Sequence, residues 1–187
     1  MPQLNQQLPD LTIPAYHAGK LTEISLGSLK GKWSVILFYP ADFTFVCPTE
    51  LSDLNASLDG FEKAGCAVFS ASTDSQFVHK AWADATETIR ALRYPMQADR
   101  NGALARAFGV LDEATGTAQR ATLIIDPDLR VRAFEVVDGS IGRNAAEVLR
   151  RVEALEFVRE HGDNVCPANW HPGAATLKPS LDLVGRL

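Results

Sequence analysis

The chain has 187 residues, 46% of them hydrophobic and 22% charged, with a formal net charge of −5, as is typical of one globular domain. This charge argues against a nucleic-acid partner and an anionic membrane surface, and no apolar run in the sequence reaches the length of a membrane span. Three cysteines are too few for a secreted disulfide scaffold, and the N-terminus lacks the basic and apolar regions of a signal peptide. We therefore expect a cytoplasmic protein in which any disulfide is transient.

The first third of the chain predicts an arm, a buried strand and a helix, in that order. Residues 1–32 contain scattered prolines and glycines, which favour an extended arm with a hairpin. Residues 33–39 are apolar and partly β-branched, which predicts a buried strand. Apolar side chains then recur at helical spacing and predict an amphipathic helix, whose buried face consists of Leu51, Leu54, Leu58 and Phe61.

The remainder of the chain alternates strands and helices. Residues 66–72 predict a second buried strand, and Thr73 or Asp74 is a suitable N-cap for the following helix. The apolar face of that helix is predicted to contain Val78, Trp82, Ala85 and Ile89. The later predicted elements are a strand at 96–99, a helix at 101–108, a hairpin of 122–126 with 131–137, and a helix at about 143–161.

This order of elements predicts the α/β class and a thioredoxin-like fold, in which helices flank a central mixed sheet. Residues 1–162 would form this domain. Residues 163–187 show no periodicity, so we expect a C-terminal tail that must dock on something to be ordered.

Cys47 lies where the predicted buried strand passes into the N-terminus of the predicted helix. Pro48 supports this placement, because proline is tolerated in the first helical turn. Unpaired backbone N–H groups and the helix dipole favour an anion there, so a thiolate at Cys47 would be a nucleophile. Thr44 is close enough to share a pocket with the sulfur, and Pro40 would shield the sulfur from water. The alternative is a thiol without chemistry, because free cysteine is most often a small buried hydrophobe.

The residues around Cys47 resemble the active-site motif of the peroxiredoxins. The spacing Pro40-x-x-x-Thr44-x-x-Cys47 is that of the family motif. The longer string at 43–50, FTFVCPTE, is similar to the typical two-cysteine subgroup.

Three further stretches resemble the same subgroup. Residues 164–170 are similar to the segment around its resolving cysteine, which corresponds to Cys166. Arg120 precedes the run 121–127 and is similar to the active-site arginine of the family. Residues 179–185 resemble the ending of the bacterial alkyl hydroperoxide reductase C branch.

The resemblance implies a thiol peroxidase that reduces hydrogen peroxide and small organic hydroperoxides. Cys47 would attack the peroxide and become a sulfenic acid, and Cys166 of the partner subunit would then form an intersubunit disulfide with it. Arg120 and Thr44 would bind and orient the peroxide, and Pro40 would shield the sulfur. Without the resemblance, Arg120 would be a surface residue at a strand start, and Thr44 an ordinary loop hydroxyl.

The resemblance also implies an ion-pair network of Glu50 and Arg143 around the arginine, although both residues look like solvated helix residues by sequence alone. It implies no bound cofactor or metal. Reducing equivalents would come from a flavoprotein disulfide reductase fed by NADH, or from thioredoxin. Antiparallel homodimers would assemble into a ring-shaped decamer.

Other functions remain open at this point. A thiol–disulfide oxidoreductase would need a second cysteine three residues after Cys47, where Glu50 stands. A cysteine hydrolase would need a histidine base in a recognisable context, which the sequence lacks. A holdase-type chaperone and a thioredoxin-like domain without chemistry are the non-enzymatic alternatives.

The remaining cysteine and the histidines have ordinary interpretations. We expect Cys66 to be a buried, inert thiol within a strand. His161, Cys166 and His171 are evenly spaced, but three ligands at this spacing do not match a structural zinc site. His17 and His79 look like ordinary surface or helix residues.

The sequence departs from relatives that are prone to over-oxidation. Those relatives carry a Gly-Gly-Leu-Gly insertion and a C-terminal Tyr-Phe helix, whereas here the comparable loop is 109–116 and the chain ends with residues 184–187, VGRL. We therefore predict resistance to inactivation by sulfinic acid formation.

Overall fold

The computed structural model describes residues 1–186. Its N-terminal arm contains the predicted hairpin, formed by β1 (Thr12–His17) and β2 (Lys20–Ser25), and a 3-10 turn follows at Leu26–Leu29. The hairpin turn needs positive φ at Gly19, which glycine adopts without steric cost. The leucines at both ends of the 3-10 turn are buried and therefore anchor the arm to the core.

The strand and the helix on either side of the loop at residues 39–46 lie where they were predicted. β3 (Trp33–Phe38) is buried at every position, and α1 (Cys47–Ala56) begins at the cysteine itself. The prediction of one continuous helix is wrong, because the helix is interrupted at Ser57 and a second helix, α2 (Leu58–Lys63), follows. The predicted apolar face nevertheless stays buried on both sides of the break, at Leu51, Leu54, Leu58 and Phe61.

The middle of the chain contains five short elements in the predicted order of strand and helix. They are β4 (Cys66–Ser72), α3 (Gln76–Ala85), α4 (Glu87–Arg90), β5 (Met96–Ala98) and α5 (Ala103–Ala107).

The N-cap of α3 differs from the prediction. Ser75 caps this helix, and its hydroxyl accepts a hydrogen bond from the backbone N–H of Val78 at 3.3 Å. Asp74 is not the cap, because its carboxylate accepts hydrogen bonds from the Ser72 hydroxyl and from the backbone N–H of Asp42.

The predicted apolar face is also wrong at Ala85, whereas Trp82 and Ile89 are buried as predicted, although Ile89 belongs to the separate helix α4. Ala85 is exposed, since the helix ends there and Thr86 adopts an extended conformation before α4 begins. The buried face of α3 consists of His79, Trp82 and Ala83.

The last third of the chain confirms the predicted hairpin and helix. It contains β6 (Leu111–Asp112), β7 (Thr117–Ala118), β8 (Arg120–Ile125), β9 (Val131–Val137) and α6 (Ala145–Glu160). Strand β8 begins two residues earlier than predicted, because Arg120 and Ala121 pair with Val137 and Val136 of β9. Asn144 caps α6 by accepting from the backbone N–H of Glu147 at 3.1 Å.

Within residues 1–186, seven strands form one mixed sheet in the order β2-β1-β5-β4-β3-β8-β9. β4 pairs in parallel with β3 and β5, and the other neighbours are antiparallel. Apolar side chains pack on both faces of the sheet, against α1, α2, α3 and α6 on one face and against α5 on the other. The fold is therefore of the α/β class, with a mixed sheet between helices, and the N-terminus of α1 lies beyond the carboxyl end of β3.

The segment after α6 folds back on that helix. Val165 and Leu177 exchange two backbone hydrogen bonds. Trp170, which lies between these two residues in the sequence, is buried. Arg150 of α6 donates from Nη1 to the carbonyl oxygen of Trp170 at 3.0 Å. A 3-10 turn at Leu181–Leu183 is exposed, and Leu187, which completes the predicted tail, lies outside the described residues.

Among the helices of residues 1–186, none combines the length and the apolar character that crossing a membrane requires.

Candidate active site around Cys47

Cys47 is fully buried at the start of α1. Its N-cap residue, Val46, makes no side-chain hydrogen bond to the first turn, so the positive end of the helix is not neutralised by a capping oxygen. Backbone N–H groups and the helix dipole therefore favour negative charge near the sulfur.

Arg120 lies directly against this sulfur. The pairing of Ala121 with Phe38 brings the start of β8 beside the end of β3, and Arg120 follows from that register. Its Nη1 donates to Cys47 Sγ at 3.3 Å, and its Nε donates to the carbonyl oxygen of Gly139 at 2.8 Å. The side chain is buried, so the surface interpretation of Arg120 is wrong.

Glu50 and Arg143 hold this arginine in place. Arg120 Nη1 donates to Glu50 Oε2 at 2.6 Å, and Arg143 Nε donates to Glu50 Oε1 at 2.7 Å. The Arg143 backbone N–H and Nη2 also donate to the same carboxylate, and its Nη1 donates to the carbonyl oxygen of Ala121 at 2.7 Å.

The solvated interpretation of this pair is wrong. The Glu50 and Arg143 side chains are 1% and 2% exposed, and Arg143 precedes α6 instead of belonging to it. A helical pattern cannot predict this burial, because the partners of both side chains come from distant segments of the chain.

The pKa values of the network reflect its charges. Burial opposes ionisation of Glu50, but the hydrogen bonds and charge of Arg143, helped by the charge of Arg120, outweigh burial and lower the pKa of Glu50. Burial likewise opposes the charge of Arg120, but Cys47 and then Glu50 outweigh it and raise the pKa of this guanidinium. Both groups are therefore charged at neutral pH, and a permanent cation faces the sulfur.

Thr44 and Pro40 lie in the loop that joins β3 to α1. The Thr44 hydroxyl donates to the carbonyl oxygen of Ala41 at 2.9 Å, so its donor is used within the loop while its oxygen remains able to accept. Pro40 is half-buried two residues after the end of β3 and offers no N–H.

Cys166 lies apart from this cluster. Its Sγ is 3.8 Å from the carbonyl oxygen of Ala154 on α6, and it lines a partly apolar cavity of about 480 Å³. Partial burial raises the pKa of the Cys166 thiol, and the charge of Arg150 opposes that shift.

The geometry of α6 separates the two thiols of one chain. Arg143 contacts Glu50 just before α6 begins, whereas Cys166 contacts Ala154, nine residues after the first residue of the helix. Nine helical residues span about 13 Å, so Cys47 and Cys166 lie at different levels of α6. Neither cysteine is in a disulfide.

Sequence reasoning missed a buried polar cluster beneath the loop. His79 does lie in a helix, α3, but it is fully buried and its Nδ1 lies 2.7 Å from Asp42 Oδ2, so the surface interpretation is wrong. The Tyr39 hydroxyl donates to Asp42 Oδ1 at 2.7 Å. The one sequence feature that could have indicated this cluster is Asp42 itself. A carboxylate next to a buried strand requires hydrogen-bonding partners if it becomes buried.

The other cysteine and the histidines near the C-terminus lie away from Cys47. Cys66 is buried in β4, and burial, with a smaller contribution from Glu156, raises the pKa of its thiol far above the ordinary range. His161 stacks on Phe157 at 4.2 Å between ring centroids, and His171 faces its own neighbour, Pro172. Within residues 1–186, no three His, Cys, Asp or Glu side chains are grouped as metal ligands.

Two family profiles match the chain. One, described as the AhpC/TSA family, matches residues 4–134, and the other, described as the C-terminal domain of 1-Cys peroxiredoxin, matches residues 154–187. Cys166 lies within the second matched stretch. Alkyl hydroperoxide reductase C of Staphylococcus saprophyticus is 47% identical to this chain, and the alignment covers 100% of both proteins.

Solved structures agree with these matches. The crystal structure of Enterococcus faecalis AhpC has 54% sequence identity and a TM-score of 0.86, and it covers 89% of this chain and 100% of its own. The reduced 2-Cys peroxiredoxin of Plasmodium vivax has 30% identity and a TM-score of 0.90, covering 96% of this chain and 94% of its own. The chain therefore belongs to the AhpC/TSA family and is a peroxiredoxin, a thiol-dependent enzyme that reduces peroxides.

Proposed function

We propose that this enzyme reduces hydrogen peroxide and small organic hydroperoxides with Cys47 as the peroxidatic cysteine and Cys166 of the partner subunit as the resolving cysteine. The observation that carries the proposal is the 3.3 Å contact between Cys47 Sγ and Arg120 Nη1 at the start of α1. A buried thiol in contact with a buried, permanently charged guanidinium is an arrangement for chemistry, because an inert thiol needs no such partner.

In the first step, the Cys47 thiolate attacks the terminal oxygen of the hydroperoxide. An S–O bond forms as the O–O bond breaks, so Cys47 becomes a sulfenic acid. The other oxygen leaves with the electron pair and takes up a proton, giving an alcohol, or water when the substrate is hydrogen peroxide. Arg120 stabilises the charge on both sides of the breaking O–O bond. Its Nη1 contacts the sulfur, and its Nη2, which takes part in none of the bonds to Cys47, Glu50 and Gly139, can donate to the peroxide oxygens.

Thr44 and Pro40 complete the peroxide site in this proposal. The Thr44 hydroxyl donates to Ala41, so its oxygen can accept the O–H of the peroxide and orient the reacting oxygen toward the sulfur. Pro40 limits water without adding a competing donor. Glu50 and Arg143 are positioning residues that fix the Arg120 guanidinium.

In the second step, the Cys166 thiol of the partner subunit condenses with the sulfenic acid, forming a disulfide and releasing water. Cys47 is fully buried, so the first turn of α1 must open before the two sulfurs can meet. This turn lacks a side-chain N-cap, an interaction that typically contributes about 1 kcal/mol, which lowers the cost of opening.

An intersubunit disulfide requires a homodimer, and the sheet offers a surface for one. β9 is the edge strand of the sheet in residues 1–186: the N-terminal arm hydrogen-bonds only its first residue, Val131, on the outer side, and its Phe134, Val136 and Val137 side chains are only half-buried. Unpaired edge strands are templates for pairing with another chain. Antiparallel association of two β9 edges would continue the sheet across a twofold axis.

A ring of five dimers requires a second contact surface, because one twofold interface closes on itself. The rings of Phe43 and Phe77 are more than half exposed, and that of Phe45 is 91% exposed. Exposed aromatic side chains of this kind mark protein–protein interfaces. We assign this surface to the decamer contact.

Turnover requires two electrons to reduce the disulfide, and the site itself holds no redox group in this proposal. A flavoprotein disulfide reductase fed by NADH, or thioredoxin, supplies them by thiol–disulfide exchange. This requirement favours a cytoplasmic location, where such reductants maintain thiols. Residues 1–162 form the peroxidase domain in this scheme, and residues 163–187 form the tail that carries Cys166.

A non-reducing gel and intact mass after one equivalent of hydrogen peroxide test both cysteine roles together. Wild type and Cys66→Ser should give a covalent dimer, and neither Cys47→Ser nor Cys166→Ser should do so. A covalent dimer that persists in Cys47→Ser would contradict the proposal.

The raised pKa of Cys166 predicts how disulfide formation depends on pH. The thiolate is the attacking species, and a pKa above the ordinary range means that its fraction keeps rising through neutral pH. We expect the rate of disulfide formation after a peroxide pulse to rise about tenfold per pH unit from about pH 6.5 to about pH 8.5. Stopped-flow fluorescence measures it, and a plateau below that range would contradict the prediction.

Resistance to over-oxidation is the second kinetic prediction. No residue of the 3-10 turn at Leu181–Leu183 is buried, so in this proposal the turn leaves α1 free to open, and the Cys166 tail reaches the sulfenic acid before a second peroxide does. Wild type should keep its activity over many turnovers in modest peroxide excess, and the matched control Cys166→Ser should accumulate sulfinic acid. Loss of wild-type activity within a few turnovers would refute this.

A further inference from the structure

Beneath the loop that carries Thr44, buried polar groups from separate elements converge on Asp42. Tyr39, just after β3, donates from its hydroxyl to Oδ1 at 2.7 Å, and His79 of α3 contacts Oδ2 through Nδ1 at 2.7 Å. The backbone N–H of Asp42 donates to Asp74 Oδ2 at 2.9 Å. Both the side chain and the backbone of this loop residue are therefore bound.

The far side of the His79 ring is also occupied. Its Nε2 lies 3.3 Å from the backbone carbonyl oxygen of Gln97 on β5, so each ring nitrogen faces an oxygen acceptor. The imidazole thus connects the loop to the sheet through α3. Its ring is fully buried, and the close packing of a protein interior hinders it from following a moving loop.

The next residue, Phe43, shows that the anchoring imposes a conformation on the loop. Its φ is 54°, in the left-handed region that a bulky side chain rarely adopts. Such strain persists only where the surroundings determine the conformation. Here the bonds to Asp42 hold one side, and the Phe43 ring packs against Trp82 of α3 at 5.9 Å between centroids.

We propose that His79, Asp42 and Tyr39 are positioning residues for the peroxide step, and that they hold the loop in the conformation that presents Thr44 to the substrate. This inference rests on the proposed function, because it assigns a purpose to the loop only if Thr44 orients a peroxide. The cluster acts through Thr44 and does not contact the reacting atoms.

The chain path makes the coupling direct. Thr44 follows Asp42 by two residues, and its hydroxyl donates to the carbonyl oxygen of Ala41, the residue before the anchor. A shift of the loop at Asp42 therefore moves both the hydroxyl and the acceptor that orients it. Misplacement of a substrate-orienting group by about 1 Å is sufficient to lower a rate by about a hundredfold.

A cluster of this chemistry is poorly explained by stability alone. Burying a carboxylate and an imidazole together costs desolvation, and apolar side chains of similar volume stabilise a core equally well or better. Directional hydrogen bonds instead fix the position of the Asp42 carboxylate, and a loop that orients a substrate requires such a fixed position.

Replacements of His79 distinguish the two hydrogen bonds that its ring makes, one to Asp42 and one to Gln97. In His79→Asn the side-chain amide lies near the former Nδ1 and can still donate to Asp42, whereas in His79→Gln it lies near the former Nε2 and reaches only Gln97. His79→Leu loses both bonds. We expect His79→Leu and His79→Gln to react with hydrogen peroxide about 10- to 100-fold more slowly than wild type, and His79→Asn to recover most of the rate.

Single-turnover stopped flow resolves the peroxide step from disulfide formation, and the fluorescence of Trp82 beside Phe43 reports on the loop. The later disulfide step should be unchanged or faster in the slow variants, because the loop no longer restrains the start of α1. The matched control is Asp99→Asn, another buried carboxylate, which binds the N-terminus of α5 and should leave both steps unchanged.

Tyr39→Phe is the second variant and guards against misfolding at position 79, because it removes one hydroxyl and keeps the ring. We expect a peroxide step about three- to tenfold slower, as one of the donors to Asp42 is lost. Unchanged peroxide rates in a folded His79→Leu or in Tyr39→Phe would overturn the inference. A wild-type enzyme that does not react with peroxide at Cys47 would instead overturn the proposed function itself.

Discussion

Cys47→Ser is expected to lower the second-order rate constant for peroxide reduction by at least about a thousandfold. The serine hydroxyl stays protonated near neutral pH and is a poor nucleophile toward an O–O bond, whereas a thiolate beside Arg120 is a strong one. Serine is nearly the size of cysteine, and its oxygen can accept the same Arg120 hydrogen bond, so the fold should be retained.

Peroxide consumption, followed with saturating dithiothreitol as the reductant, measures this effect without a reductase partner. The buried thiol of β4 provides the matched control: Cys66 pairs with Trp33 at the start of β3, away from the end that leads to Cys47, so Cys66→Ser should keep nearly full activity. Cys166→Ser should also still consume peroxide under these conditions, because a small thiol can reduce the sulfenic acid directly. Substantial activity in Cys47→Ser would move the reaction to another residue and refute the assignment.

Arg120→Lys is expected to have the second largest effect, a loss of about 10²- to 10³-fold in the rate constant of the peroxide step. Lysine keeps a positive charge, but its N–H donors all lie on one nitrogen, which cannot occupy the positions of both Nε, the donor to Gly139, and Nη1, the donor to Glu50 and to the sulfur. The loss therefore measures the geometry of the planar guanidinium. Glu50 keeps its bonds to Arg143, so the network should not collapse.

The control for this variant is Arg106→Lys, at an exposed arginine that forms a bidentate pair with Glu113. Surface pairs contribute little, so a change of less than about twofold is expected. Stopped-flow measurement at several peroxide concentrations gives the second-order rate constant of the peroxide step for each variant. If Arg120→Lys reacted as fast as wild type, positive charge alone would suffice and the hydrogen-bond geometry would be irrelevant.

Both predictions depend on a site that is closed before it reacts. Cys47 and the side chains of Glu50 and Arg143 are essentially inaccessible, so water cannot screen the charges that act on the sulfur. The same closure prevents Cys166 from reaching Cys47 until α1 opens. Peroxide reduction and disulfide formation therefore place opposite demands on one helical turn, and the missing N-cap at Val46 makes that turn the weak point.

The sequence by itself determined the elements whose cause is local. Apolar periodicity predicted β3, the buried face of α1 and α2, the β8–β9 hairpin and α6, because burial of one face depends on residue spacing. Pro48 and the preceding apolar strand placed Cys47 at a helix start, because proline is favoured in the first turn of a helix. The motif around Cys47 pointed to the correct family.

Only the tertiary structure decided which charged side chains are buried. Glu50, Arg143 and His79 have the sequence context of solvated helix residues, and each is buried because its partners arrive from distant segments: β8 for Glu50, α1 for Arg143, and the loop after β3 for His79. Desolvating a charge is unfavourable in isolation and is offset by partners that no local pattern encodes. The position of Cys47 at a helix start was therefore predictable from the sequence, whereas the network around its sulfur exists only after the chain has folded.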